Sequence, residues 1–152
     1  MLSQTVKNLQ KDQDGVVLVE TLLAVPVLTL LTFGILEFGN MMWQRQQLQV
    51  GVRDAARYWS RCRPSFHSCS AVVARNIAFY GNPAGTGRPR VPGWDGASEL
   101  TISLPEPSTT PNFEDVVTVS GSVIYEGSPL FDAILDEPVS IGYWTEMRYL
   151  GW

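Results

Sequence analysis

From Val16 to Leu36 nearly every position is apolar: Glu20 is the one charged side chain, and Thr21, Thr29 and Thr32 are the other polar ones. As a helix these 21 residues rise about 31 Å, enough to cross a bilayer core of roughly 30 Å. Beyond residue 43 no second stretch of this kind occurs, so a single span is expected. Helical spacing continues past the apolar run. Leu48, Val52, Ala55, Ala56 and Trp59 recur on one face, while Arg53, Arg57 and Arg61 follow a four-residue spacing on another. The pattern predicts one helix from about Val16 to Arg61, kinked at Pro26, where a backbone donor is missing. Its first half is suited to lipid and its second half to a packed head.

Pro64 stops that helix, and a shorter one is predicted over Cys69–Tyr80, ended by Gly81. Residues 81–98 are rich in Gly and Pro and read as a loop. The period then changes to two. Leu100, Ile102 and Leu104 mark a first strand; Val117, Val119, Val123 and Tyr125 mark a second, with Gly121 read as a bulge. Ser128-Pro129 opens a short helical turn through Leu135. In the last strand Val139, Ile141, Tyr143, Thr145 and Met147 share one face; Ser140, Gly142, Trp144, Glu146 and Arg148 share the other. Three strands with one apolar face, set against the amphipathic half of a helix, define an α+β head with an antiparallel sheet.

Composition narrows the chemistry. A net charge of −4 without a polybasic run argues against nucleic acid. One histidine and two cysteines cannot build a zinc site unaided, and no cofactor is implied. Cys62 and Cys69 both follow the apolar segment, so in an oxidising compartment a disulfide is the natural reading; two reduced thiols are the alternative. His67 with Ser65, Ser68 and Asp54 has no triad spacing, and no catalysis is expected. Trp43 reads as a membrane-interface anchor, Trp59 as core, and Trp94, in the Gly/Pro loop, as an exposed recognition residue. Glu37, at the far end of the apolar run, reads as interfacial.

Glu20 is the position that composition leaves unexplained, because an ionisable group within a span costs roughly 2.5 kcal/mol or more at the helix centre. A polar leader (residues 1–15) ends in a glycine, and a glutamate follows five residues later. The run also carries Val19-Glu20, Pro26, Phe33-Gly34-Ile35-Leu36-Glu37-Phe38-Gly39 and Ala55-Ala56-Arg57-Tyr58. Over about residues 15–60 this resembles the TadE-like family, pilin-like proteins of the tight-adherence (Flp) pilus system, a branch of the type IV pilus machinery. The chain differs from many relatives in having Asp14 before the glycine and Thr21 after the glutamate.

The resemblance implies a pilin-like α+β fold with a leader (1–15), a transmembrane helical segment (16–43) and a soluble domain (44–152). It implies cleavage between Gly15 and Val16 by a prepilin peptidase, and pairing of Glu20 with the Val16 amine of a neighbouring subunit. Implied partners are other pilin-like subunits, the peptidase, an inner-membrane assembly platform and the bilayer itself. The implied setting is the bacterial inner membrane, with the amino terminus cytoplasmic and the head periplasmic. Positive-inside counting points the other way, since Lys7 and Lys11 face Arg45, Arg53 and Arg57. Following the family requires those arginines to be neutralised, and carboxylates of the head are the expected partners. The competing function is an uncleaved, single-pass anchor for a periplasmic binding module.

Overall fold

The computed structural model describes residues 14–63, 69–103, 112, 114–129, 131 and 137–150. Among these residues the longer elements are, in chain order, α1 (Asp14–Ser60), α2 (Ala71–Tyr80), β1 (Leu100–Ile102), β2 (Val116–Ile124) and β3 (Ser140–Arg148). A single 3-10 turn, Ala97–Glu99, leads into β1. The strands form one antiparallel sheet in the order β1-β2-β3. This is the α+β, pilin-like arrangement expected from the sequence. The chain divides into two compact units, Met1–Phe38 and Gly39–Trp152.

Among the described residues of the first unit α1 is the one element, continuous through Pro26. Its apolar side chains are exposed on every side, including Leu22, Leu23, Leu30, Leu31 and Leu36. The three threonines do not leave polar groups open. The hydroxyls of Thr21, Thr29 and Thr32 each donate to a carbonyl four residues back, at 2.7–2.8 Å. Such back-bonding lets a hydroxyl sit in an apolar solvent without an unmet donor.

The second unit has a conventional core. Leu48, Val52, Ala55, Ala56 and Trp59 are all buried, as their spacing requires. They face Val117, Val119 and Val123 of β2 and Ile141 of β3, which belong to the same buried cluster. From α2, Ala74, Ala78 and Phe79 join them. Gly81 ends α2 in the left-handed region at φ 74°, its N–H donating to Ile77 at 3.0 Å, a conformation that favours glycine. Gly121 is not a bulge. It pairs with Leu100 on one side and Tyr143 on the other in an unbroken register.

Two features close the end of α1. Leu150 donates its N–H to Ser60 at 2.8 Å, and the Tyr149 hydroxyl donates to Cys62 at 2.6 Å. Both satisfy carbonyls that a terminating helix cannot bond internally. The sulfurs of Cys62 and Cys69 are joined, with Cα atoms 5.8 Å apart. Of the predicted Ser128–Leu135 turn, Pro129 and Phe131 are helical, and Phe131 donates to Ser128 at 2.9 Å; the remainder lies outside the described residues.

Candidate functional site

The residues around the expected cleavage point are helical and open. Gly15, Val16 and Glu20 lie in α1 and are exposed, and a side chain at Gly15 would meet nothing within 4 Å. Glu20 stands four residues beyond Val16, about 6 Å along the axis and on nearly the same face. Its carboxylate has no hydrogen-bond or ion-pair partner among the described residues. The contrast with Thr21 is direct, since the threonine is satisfied within its own helix by the Val17 carbonyl. A carboxylate with acceptor capacity only cannot be satisfied that way. It needs a donor from elsewhere.

Trp94 is not an exposed recognition residue. It is fully buried, and the reason is a slot built from two glycines distant in sequence. A Cβ on Gly51 would meet the Ala78 carbonyl and stand 2.7 Å from Trp94 Cζ3; a Cβ on Gly121 would stand 3.0 Å from Trp94 Cζ2. The indole fills the space that side chains would otherwise occupy, and Phe79 meets it edge-on with centroids 4.9 Å apart. The indole N–H has no acceptor there, so packing rather than hydrogen bonding holds the ring. In the head's sheet, Trp144 does face outward, 63% exposed on the outer face of β3. Strand alternation alone places it there.

The helix arginines do not find the expected carboxylates. Arg53 instead lies over the Tyr143 ring, 5.3 Å from its centroid, and donates from Nε to the Tyr143 hydroxyl at 3.1 Å. Arg57 and Arg61 are exposed, and neither contacts a carboxylate among the described residues. Arg90 does pair with Asp54, at 2.8 Å, which fastens the Gly/Pro loop to α1. Asp54 is thereby committed, while Ser65, His67 and Ser68 lie outside the described residues. Among the described residues no three His, Cys, Asp or Glu side chains converge as a metal site would require.

Sequence reasoning missed two polar groups in the head. Gln44 is buried, its amide donating to the Glu126 carbonyl at 3.2 Å, and Asn40 donates to the Tyr125 hydroxyl at 3.1 Å. Tyr149 is also buried, which raises its pKa above 10.0; Arg63 opposes that shift and Asp115 reinforces it.

Residues 15–57 match the family model described as TadE-like protein. Over that stretch the chain is similar to this family, in line with the resemblance of its motif residues. No curated protein matches the chain. No solved structure matches it either.

Proposed function

We propose that this chain is a minor pilin or pseudopilin that takes part in assembling a tight-adherence type IV pilus. The TadE-like match over residues 15–57 supports a relation to that pilus system. Its apolar amino-terminal helix is long and apolar enough to cross a membrane. In the proposed setting the span sits in the bacterial inner membrane, residues 1–15 face the cytoplasm and the head faces the periplasm. A prepilin peptidase cuts between Gly15 and Val16, and the platform and other pilin-like subunits receive the product.

The observation that carries this reading is Glu20, exposed and unpartnered among the described residues one turn beyond Val16. Cutting after Gly15 creates an ammonium group at Val16. A charge in lipid is tolerated when it is paired, and the Glu20 of an adjacent subunit supplies the counter-ion. The pair then fixes how far one subunit is displaced along the axis from the next.

The test is the mature mass with the peptidase co-expressed. Loss of residues 1–15 is expected, and Gly15→Leu should abolish it. In the same cells Glu20→Leu should leave the cut intact and reduce piliation. An uncut wild-type chain would favour the uncleaved anchor instead, and normal piliation with Glu20→Leu would sink the pairing.

A further inference from the structure

The edge of the sheet that β1 forms is open. β1 pairs with β2 on one side, and its other side meets no strand among the described residues. The ladder decides which backbone groups face that open side. Ser103 donates its N–H to Thr118 at 2.8 Å, so Thr101, two residues earlier and opposite Ser120, also turns its backbone groups toward β2. Leu100 and Ile102, opposite Gly121 and Val119, therefore point theirs away from the sheet. Such an edge is a template for another strand. Beside it lies a cleft of about 250 Å³, lined by Leu100, Thr101 and Ile102 of β1, by Ala71 and Arg75 of α2, and by Trp59 of α1.

Arg75 is the charged member of that lining. Its Nε is shut off from solvent without an acceptor, and no carboxylate reaches its guanidinium among the described residues. A buried donor left unmet is costly, the more so on a charged group. Glu99, which leads into β1, is already committed: its carboxylate accepts from the amides of Asp95 and Gly96 at 3.0 and 2.8 Å. The cleft is smaller than the roughly 300–1,000 Å³ of small-molecule sites, so it suits a side chain or two rather than a free metabolite. We infer that the open edge of β1 takes an added strand from a partner protein, and that a carboxylate side chain of that strand enters the cleft to pair with Arg75. Backbone bonds to Leu100 and Ile102 supply affinity, whereas Arg75 selects an acidic residue at the one position that faces it. Nothing in this contact depends on cleavage after Gly15.

The test pans a phage-displayed library of random nonapeptides on the full-length chain held in lipid nanodiscs. Enriched sequences should share one Asp or Glu among β-branched or aromatic residues. A synthetic peptide of that consensus should bind about tenfold more weakly to Arg75→Gln, with no fall in the urea midpoint of the head. Arg75→Glu should recover binding when the acidic residue of the peptide is replaced by lysine, a rescue that misfolding cannot mimic. Strand addition has its own signature in the peptide. Only every second amide of an added strand faces β1, so methylating alternate backbone nitrogens should abolish binding in one series and spare it in the other. No enriched sequence, enrichment without a shared acid, or equal binding to Arg75→Gln would overturn the proposal. Equal tolerance of both methylated series, with displacement by acetate, would overturn it in favour of a small free carboxylate.

Discussion

Two stretches of α1, residues 16–36 and 44–60, belong to one continuous helix and meet opposite fates. Leu22 and Leu31 are 66% and 58% exposed, whereas Leu48 and Val52 are completely buried. The difference lies in how much of the helix surface is apolar, and in the spacing and size of the apolar residues. In the first stretch apolar residues occupy all sides, so no one face can be chosen for burial, and the surrounding solvent must itself be apolar. The second stretch restricts them to one stripe and makes that stripe narrow with Gly51, Ala55 and Ala56. Small residues let neighbouring elements approach, and the indole of Trp94 takes the place of the missing side chains. Glycine shows the contrast most directly: a Cβ at Gly34 would meet nothing within 4 Å, but one at Gly51 would collide with backbone.

The largest effect should come from that slot. Trp94→Ala is expected to cost the head about 3–5 kcal/mol, and Gly51→Val about 1–3 kcal/mol or more through overpacking. Gly34→Ala, at an equally helical position, should leave head stability unchanged. Urea titration of the full chain in detergent, followed by tryptophan fluorescence, measures all three. Equal losses at Gly34 and Gly51 would break the comparison.

Next in size is the crosslink between Cys62 and Cys69. It spans a sequence separation of 7, and closing a loop of that length is worth roughly 2–3 kcal/mol in the chain-entropy treatment. Cys62→Ser with Cys69→Ser should lower the urea midpoint accordingly without changing recovery in the membrane fraction. A matched loss of membrane recovery would mean that the two stretches are not energetically separable.

The smallest effect is pH-dependent. Burial raises the Tyr149 pKa, so folding favours the protonated phenol. Its contribution is fully present below the unfolded value near 10 and is lost as pH rises through the higher folded value. Tyr149→Phe removes the bond to Cys62 and should cost about 1 kcal/mol at neutral pH. It should also flatten the loss of stability above pH 10 that wild type shows. The span contains no group of this kind, and its insertion should be indifferent to that alkaline range.

Much of this fold was legible because its signals are local. The α1 stripe, the Gly81 stop and the two-residue period of β2 and β3 each arise within a few neighbouring residues, and each element appears within about two residues of its expected place. The burial of Trp94 is not legible in the sequence, because its partners, Gly51 and Gly121, lie far away on two different elements and carry no side chains to announce a contact. The same glycine, taken alone, reads as a bulge; in place, it makes room. Gln44 was hidden by its chemistry, since a buried amide bonded to the Glu126 carbonyl has no periodic signature.

The closure of α1 by Tyr149 and Leu150 has a consequence for the order of folding. The hydroxyl of Tyr149 reaches back 87 positions to the carbonyl of Cys62, and Leu150 reaches Ser60. Contacts of such long range make a domain slow to acquire its native topology, because most of the chain must be gathered before they reward it. Until β3 arrives, β2 has an open edge and α1 an uncapped end. During synthesis the head is therefore a ready client for chaperones, and its commitment to the native state waits on the strand that is made last among those described.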